Sequence, residues 1–379
     1  MWIQVLLLKK IMPPINLNRS TRRELAGLTI LLFFTLILIL ESLARLPISR
    51  QIFPYRSVGN YHYQFELKWF RLQDYVEQNG GVDIIFVGSS LVNTGVDPDV
   101  IAKAYQAKTG VQARIFNFGV EGLTVSPNSK IIAILVEKYH PALIVYITEM
   151  RDYVTGNGME TETNFMADSW LRYKLREFNP LGWLINNSAF LQIYLPYRNW
   201  MRPDFPETMS VYVKRFNAMS ASGYESDNNV GENNANYSDP NSPDNSLSSQ
   251  QYVNYQIDTD RLNKLIDILN VSKSNLNPTS TLVVEMPINP TFYYYVGGDQ
   301  VHRKFQKVIS TIVESNKGFF LPSETCLGTI PSQGRSNLWH LNTLGALNFS
   351  NCLGEQLAIL AHQQNTYFIK EIDFIREVP

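Results

Sequence analysis

Two short segments far apart in the chain carry side chains that could act as a nucleophile and its base. The first is an apolar run that ends in Gly88, Ser89 and Ser90, which is typical of a buried strand followed by a tight turn. The second, residues 337–340 (NLWH), places His340 just before residues that can cap a helix. A serine hydroxyl becomes a nucleophile when a neighbouring histidine accepts its proton. The two segments therefore predict a Ser90–His340 pair, provided that the fold brings them together.

The chain between these segments alternates strand and helix signals. The strand signals are apolar runs at residues 83–87, 114–118, 143–147, 281–286 and 318–321. Between them, Pro98 and Pro127 each stand where the first turn of a helix begins, residues 299–315 form a further helix, and Asn342 or Thr343 can cap a last one. This alternation predicts an α/β protein with a three-layer α/β/α fold, in which the central sheet is mainly parallel and flavodoxin-like.

Ser90, Gly119 and Arg151 each follow the end of a predicted strand. In parallel sheets the functional loops lie at the carboxyl ends of the strands, so these residues could converge on one edge. The alternative for Ser90 is structural, because a Gly-Ser-Ser turn can simply satisfy backbone donors with its hydroxyls. The turn alone favours that structural interpretation, and only the histidine segment makes catalysis a comparable alternative.

Residues 88–91 (GSSL) resemble the Gly-Asp-Ser-Leu block of the SGNH, or GDSL-like, hydrolases, with Ser89 in place of Asp. Residues 337–340 resemble the late Asp-x-x-His block of that family, with Asn337 in place of Asp. The resemblance implies that Ser90 is the nucleophile, His340 the base and Asn337 the residue that orients the imidazole. An amide stabilises an imidazolium less than a carboxylate does. Three alternatives therefore stay open: a dyad operates, another acid substitutes, or catalysis is absent.

Two further blocks bear on oxyanion binding. Residues 116–122 (FNFGVEG) resemble the block whose glycine N–H binds an oxyanion, which implies that role for Gly119. Residues 149–152 (EMRD) stand where many members have Gly-x-Asn-Asp, and the match implies oxyanion or substrate contacts for Arg151 and Asp152. A guanidinium is a strong donor with a fixed charge. The alternative for Arg151 is an ion pair with a neighbouring carboxylate.

The N-terminus has the pattern of a membrane anchor. Residues 25–40 (LAGLTILLFFTLILIL) carry no charge, and extension to Ala44 reaches the ~20 residues that a spanning helix needs. Basic residues precede this run and should stay cytoplasmic. We therefore predict a single-pass cell-membrane protein with a cytoplasmic segment 1–24, an anchor at 25–45 and an extracytoplasmic main domain. A cleaved signal peptide is the alternative, although residues 41–45 lack a convincing small-x-small cleavage site.

Cys326 and Cys352 fall in the predicted exported part and bracket His340. An oxidising compartment permits a disulfide between them, and two separately buried thiols are the alternative. A disulfide would fix the loop that carries His340.

The remaining segments differ in composition. We predict a membrane-proximal linker or helix at 46–80, an SGNH-like domain at 81–365, a helical insertion at 155–216 and a tail at 366–379. The insertion is rich in aromatic residues, which form either its own core or a lid, a wall or a membrane-facing surface. Residues 219–250 are rich in Asn, Ser, Asp, Gly and Pro and are expected to form a mobile, disordered loop.

A formal net charge of −1 gives no reason to expect a nucleic-acid partner, and no metal-ligand spacing or cofactor motif is present in the sequence. The resemblance and the location imply a serine esterase or O-acyltransferase that acts on ester-linked acyl groups of a cell-surface polysaccharide or an acylated small molecule. The rival class is a catalytically inactive accessory protein that binds glycan or a membrane-bound acyltransferase. Of the other histidines, only His302 competes as a base, since it follows an aromatic stretch after a strand end.

Overall fold

The computed structural model describes residues 19–60, 62–154, 159–198, 200–229, 255–271, 279–295, 297–366 and 368–369. Most of the predicted cytoplasmic segment 1–24 lies outside the described residues. The same holds for residues 230–250 of the predicted loop and for most of the predicted tail.

The core of the molecule is a sheet of five parallel strands. The strands are β1 (Ile84–Gly88), β2 (Ile115–Gly119), β3 (Leu143–Thr148), β4 (Ser280–Glu285) and β5 (Phe319–Leu321). Their spatial order is β2-β1-β3-β4-β5, which is the flavodoxin-like order. Every residue of β1, β2 and β3 is buried, as expected for parallel strands covered on both faces. The predicted fold class is therefore confirmed.

The α-helices that the structure describes lie between residues 19 and 364. They are α1 (Arg19–Arg45), α2 (Pro47–Ile52), α3 (Tyr63–Asn79), α4 (Ser90–Gly95), α5 (Pro98–Thr109), α6 (Val125–Tyr139), α7 (Met159–Met166), α8 (Ser169–Lys174), α9 (Pro180–Asn187), α10 (Ala189–Tyr194), α11 (Phe205–Ala218), α12 (Thr259–Val271), α13 (Thr291–Tyr295), α14 (Asp299–Ser315), α15 (Glu324–Leu327) and α16 (Thr343–Gln364). α5 packs on α16, while α6 and α14 both contact α12. Right-handed crossovers, the rule for parallel strands, place these two groups on opposite faces of the sheet.

Helix α1 contains a stretch, Arg23–Arg45, that is long and apolar enough to cross a membrane, with a mean hydropathy of 2.3 over its most apolar 18 residues. Its apolar side chains are exposed rather than packed into the core; Leu38, for example, is 66% exposed. The C-terminal end of α1 docks on α10, since the Glu41 carboxylate accepts from the N–H groups of Ala189 at 2.9 Å and Phe190 at 3.2 Å. The exposed apolar surface is what a lipid-facing helix requires.

The helical insertion predicted at 155–216 corresponds to helices α7 to α11. Its aromatic residues divide between two environments. Trp170 is 1% exposed and packs on Trp69, with ring centroids 4.8 Å apart. Trp183 and Trp200 are 54% and 62% exposed. The aromatic core interpretation therefore accounts for some of these residues but not for all of them.

Residues 219–229, the described part of the predicted mobile loop, are packed against the sheet. Met219 forms an antiparallel bridge with Glu225, and the Asn117 N–H of β2 donates to Ser222 O at 2.9 Å. Ser222 is 2% exposed. The expected disorder therefore does not begin at residue 219, because this segment finds backbone partners at the edge of β2.

Candidate active site

Ser90 is the first residue of α4 and follows β1 after a single capping residue. Ser89 is that cap, and its Oγ accepts a hydrogen bond from Leu91 N–H at 3.3 Å. The bond satisfies one of the free N–H groups at the start of the helix. Gly88 lets α4 and β3 lie close to this strand end, because a Cβ at this position would lie 2.5 Å from Val92 Cγ2 and 2.7 Å from the carbonyl oxygen of Ile147. Ser89 therefore has the structural role in this turn, and the Ser90 hydroxyl lies at the edge of the sheet.

His340 forms a hydrogen bond with Ser90. Its Nε2 lies 2.8 Å from Ser90 Oγ, and its Nδ1 lies 3.0 Å from Asn337 Oδ1. Asn337 Oδ1 also accepts from the backbone N–H groups of Trp339 at 2.9 Å and His340 at 2.8 Å. An atom that accepts two backbone N–H groups is the amide oxygen, so Nδ1 carries the proton that it donates there. Nε2 is then the acceptor for the Ser90 hydroxyl, which is the tautomer that a general base requires.

The surroundings of His340 disfavour its protonated form. Burial lowers the pKa of His340 to about 4, and the positive charge of Arg151 acts in the same direction. Asp227 and Glu121 act in the opposite direction. The neutral Asn337 amide orients the ring but adds no charge to hold an imidazolium. The imidazole is therefore neutral at neutral pH and able to accept a proton, while the cation that forms is weakly stabilised.

Arg151 lies in a 3-10 turn, Met150–Tyr153, directly after β3. Its Nε donates to the carboxylate of the buried residue Glu149, and its Cζ lies 5.0 Å from the centroid of the Trp339 ring. The ion pair that the sequence offered as the alternative for Arg151 is therefore present. The same guanidinium still acts on His340, because its charge helps to lower the pKa of that imidazole.

Gly119 ends β2 opposite Gly88, but its surroundings do not suit the oxyanion role predicted for it. Its N–H already donates to Asn117 Oδ1 at 2.8 Å. A Cβ at Gly119 would lie 2.4 Å from the Asn93 nitrogen, so this glycine faces the body of α4. We correct its assignment to a packing role: it lets β2 approach the helix that carries Ser90.

Gly122, three residues further along the same loop, has an amide in a different situation. Its φ of 71° lies in the region that favours glycine. The preceding residue, Glu121, is held in place because its N–H donates to Gln64 Oε1 at 2.6 Å. No acceptor for the N–H of Gly122 or of Ser90 lies within hydrogen-bond distance among the described residues. Both amides follow the ends of β1 and β2, which are neighbours in the sheet.

Asp152 occupies a structural position within its own turn. Its carboxylate accepts from Thr148 Oγ1 at 2.8 Å, from Tyr146 OH at 3.3 Å and from Glu149 N–H at 3.2 Å. Asp152 is 5% exposed. It therefore holds the turn that carries Arg151, and its position does not support the predicted contact with an oxyanion or substrate.

Asn117 holds β2 to the helix that carries Ser90, and the sequence motifs did not predict this role. Its Nδ2 donates to the carbonyl oxygens of Val92 and Val96, each at 2.7 Å, while its Oδ1 accepts from Gly119 N–H. These bonds tie β2 to the C-terminal end of α4. The signal in the sequence was an amide within an otherwise apolar strand, since a buried polar side chain is normally hydrogen-bonded.

A buried lysine lies behind Asn117. Lys68 Nζ donates to the backbone oxygen of Asn117 at 3.2 Å and also to Gly223 O. Burial lowers the pKa of Lys68 to about 7. Nearby, Glu225 accepts from Asn93 Nδ2 at 3.0 Å. The segment expected to be mobile therefore supplies groups that support the helix of Ser90 from behind.

Cys326 and Cys352 are joined by a disulfide, with Cα atoms 5.9 Å apart. The bond links α15 to α16, and His340 lies in the loop between these helices. The second of the two sequence-based alternatives, separately buried thiols, is not what the structure contains.

His302 lies elsewhere and has partners of its own. Its Nε2 is 2.5 Å from Glu285 Oε1, and its ring stacks on Tyr293 with centroids 3.7 Å apart. This competing histidine is therefore engaged at the carboxyl end of β4, not with Ser90. Within the described parts of the chain, no group of His, Cys, Asp and Glu side chains could hold a metal ion.

Comparison with known proteins gives similarity to solved structures only. No protein-family model matches the chain, and no curated protein matches it. A protein from Streptococcus pneumonia described as a platelet activating factor is 11% identical with a TM-score of 0.35, covering 76% of this chain and 92% of that one. An acetylxylan esterase from Geobacillus stearothermophilus is 11% identical with a TM-score of 0.34, covering 77% and 98%. A gut microbial diltiazem-metabolizing enzyme is 9% identical with a TM-score of 0.36, covering 73% and 47%. We therefore argue the function from the geometry of the site.

Proposed function

We propose that this protein is a membrane-anchored serine esterase or O-acyltransferase of ester-linked acyl groups. The observation that carries the proposal is the continuous hydrogen-bonded series from Ser90 Oγ through the imidazole of His340 to Asn337 Oδ1, at 2.8 Å and 3.0 Å. This series has the connectivity of an activated nucleophile, its base and the group that orients the base.

The proposed reaction proceeds through an acyl-enzyme. His340 Nε2 takes the Ser90 proton as Ser90 Oγ attacks the ester carbonyl, and a tetrahedral oxyanion forms. The imidazolium then gives this proton to the departing alcohol as the C–O bond breaks. In the second half, water or a sugar hydroxyl loses a proton to His340 and attacks the acyl carbonyl carbon, and His340 then returns that proton to Ser90 Oγ as the bond between the acyl group and Ser90 breaks. Water as acceptor makes the protein an esterase, and a sugar hydroxyl makes it a transferase.

The N–H groups of Ser90 and Gly122 are the proposed donors to the oxyanion. Both follow the carboxyl ends of paired strands, and neither has an acceptor among the described residues. Preorganised backbone donors of this kind stabilise developing negative charge without reorganisation. Arg151 adds positive charge near the site, since it acts on the pKa of His340.

We further propose that the substrate is an acylated cell-surface polysaccharide or a small acylated molecule outside the cytoplasm. Two features support this location. The stretch Arg23–Arg45 is long and apolar enough to span a bilayer and follows a basic N-terminal segment. The Cys326–Cys352 disulfide is the kind of bond that persists in oxidising compartments. A membrane-bound acyltransferase is a further proposed partner at this location.

Labelling with a fluorophosphonate tests the proposal. The full chain in detergent micelles should gain one adduct by intact mass, and Ser90→Ala and His340→Ala should abolish it. Ser89→Ala is the matched control, because it removes the neighbouring hydroxyl, which serves as a helix cap, and should keep the adduct. A folded wild-type protein without an adduct, or an adduct that persists in Ser90→Ala, would contradict the assignment.

One observation favours a second candidate, a non-catalytic accessory protein. Among the described residues no carboxylate contacts the base, and burial lowers its pKa to about 4, so the imidazolium is weakly stabilised. A protein that binds glycan or an acyltransferase partner without chemistry would tolerate both features. The discriminating result is binding of acylated glycan by folded wild-type protein, measured by calorimetry, together with no fluorophosphonate adduct.

A further inference from the structure

Two cavities adjoin at the place where α1 meets the α/β domain. The first has a volume of about 440 Å³ and is almost wholly apolar. Its lining comes from the last turns of α1, from α2 and from α10, and includes Leu40, Leu43, Ile48, Phe190, Ile193 and Tyr194. Leu40 and Leu43 belong to the stretch able to span a membrane, so this cavity lies at the end of that helix.

The second cavity, of about 450 Å³, is polar and basic. The cationic residues that line it are Arg45, Arg50, Arg56, Lys138 and Lys174. None of the described residues lining it is an Asp or a Glu. The two cavities share Ala44 and Ile193 as part of their walls. An apolar cavity and a cationic one therefore lie side by side at the end of the membrane helix.

The three arginines of the basic cavity have carboxylate partners just outside it. Arg45 pairs with Glu41 at 2.7 Å, and Arg56 pairs with Asp74 at 2.6 Å. Arg50 pairs with Glu77, which lies on α3. These pairs balance the charges of the arginines. The two lysines remain, and Glu137, which does not line the cavity, acts on Lys174.

Lys138 and Lys174 form no ion pair among the described residues. Lys138 Nζ lies 4.4 Å from the centroid of the Trp69 ring, and Lys174 Nζ lies 5.9 Å from that of Trp170. Desolvation by the cavity walls, with Lys174 and Arg56 as like charges, lowers the pKa of Lys138 to about 8. The Lys138 residue is nevertheless exposed to solvent. Two cations that repel each other in an accessible cavity would be stabilised by an anion between them.

We propose that the two cavities form one binding site for an anionic phospholipid, with its phosphate between Lys138 and Lys174 and an acyl chain in the apolar cavity. Each half of the site matches one half of that ligand. The apolar cavity begins on the membrane helix, so an acyl chain can enter it from the bilayer, and the basic cavity lies next to it on the domain side. A lysine ammonium is a common partner for phosphate. The inference depends on the membrane anchoring proposed above and does not depend on catalysis at Ser90.

Lipid-dependent thermal stability tests this site. The full chain in dodecylmaltoside micelles is titrated with phosphatidylglycerol or with phosphatidylcholine, and Tm is followed. A ligand that binds only the folded state raises Tm in a concentration-dependent way. Phosphatidylglycerol should raise Tm at concentrations at which phosphatidylcholine does not. The double variant Lys138→Gln/Lys174→Gln should need about tenfold more phosphatidylglycerol, the loss expected for charge-assisted contacts to phosphate.

The matched control is Lys108→Gln/Lys264→Gln, which removes the same charge from lysines that pair elsewhere with Glu355 and Asp267. It should respond to phosphatidylglycerol like the wild type. Each variant is compared with its own lipid-free Tm, so a change in basal stability does not obscure the result. An equal response to both lipids, an equal response to glycerol phosphate alone, or an equal loss in the control variant would overturn the proposal. Fluorophosphonate labelling of the same samples reports separately on Ser90.

Discussion

Asn337 Oδ1 lies 3.0 Å from His340 Nδ1 and, without any charge of its own, fixes the proton of that imidazole on Nδ1. In the usual arrangement one carboxylate both orients the ring and stabilises the imidazolium. Here the two tasks are separated, because the amide performs the first and no carboxylate of the described residues contacts Nδ1 to perform the second. The base is correctly oriented, and burial, with Arg151 acting in the same direction, lowers its pKa to about 4.

Replacing Asn337 with Asp should therefore supply the missing charge. In a serine protease the reverse change lowers kcat by about 10⁴-fold, in part through the wrong tautomer. Since the tautomer is already correct here, we expect a smaller gain, of roughly tenfold to a hundredfold in kcat/KM for an aryl acetate. The variant with Asn337→Leu should instead lose activity, because Nδ1 then has no acceptor.

The pH profile gives an independent check of that substitution. The base must be unprotonated, so wild-type kcat/KM should rise with pH through the His340 pKa of about 4 and then stay level. A carboxylate at position 337 favours the imidazolium, so the midpoint should move to higher pH. A midpoint that stays in place in Asn337→Asp would show that residue 337 does not act on the base.

Gly119, the last residue of β2, and Gly122, three residues further on, should respond differently to alanine. A Cβ at Gly119 would lie 2.4 Å from the Asn93 nitrogen, so Gly119→Ala must displace α4 and should cost about 1–3 kcal/mol or more. At Gly122 a Cβ would meet only Thr161 Cγ2 at 3.8 Å, and the cost is the positive φ, about 1–2 kcal/mol. Gly122→Ala keeps its N–H and should retain fluorophosphonate labelling. Denaturant unfolding and labelling measure both effects, and equal losses in the two variants would contradict the assignment.

The strands could be predicted because parallel strands buried on both faces leave continuous apolar runs. The pairing of Ser90 with His340 could be predicted because a hydroxyl at a strand end and a histidine just before a helix are the residue types and positions of a nucleophile and its base. Ser89 caps α4 and Asn342 caps α16, and both bonds are present in the structure.

The hydrogen bonds of buried polar groups, both within a strand and between distant segments, could not be predicted. Gly119 looked like an oxyanion donor, but its amide is taken by Asn117, two residues earlier on the same strand. Segment 219–229 looked too polar to be ordered, yet it is fixed by the backbone of β2 and by Lys68. Composition predicts how much apolar surface a segment can bury, and it does not reveal the polar partners that a distant strand offers.

Asn117 should contribute a large share of the free energy of unfolding through its buried hydrogen bonds. Asn117→Ala would leave the Gly119 N–H and the carbonyl oxygen of Val96 without their partner inside the core, while the carbonyl oxygen of Val92 would keep its bond from Val96 N–H. At about 1–3 kcal/mol for each buried unsatisfied group, the variant should lose at least roughly 2 kcal/mol of unfolding free energy. Asn348→Ala is the control, because its amide donates to Leu344 O at 2.8 Å on an exposed helix face. Comparable losses in urea unfolding for the two variants would contradict a special role for Asn117.

The disulfide should act on stability more than on chemistry. Cys326 and Cys352 are 26 residues apart, and closing a loop of that size restricts the unfolded chain by about 3 kcal/mol. Cys326→Ser/Cys352→Ser should therefore lower the unfolding free energy by about this amount, and a reductant should lower the wild-type Tm while leaving the Tm of the double variant unchanged. His340 is held locally by Asn337 and Ser90, so labelling of Ser90 should persist below the new Tm. Two free thiols in unreduced, denatured protein, or labelling lost well below Tm in the variant, would contradict this division of roles.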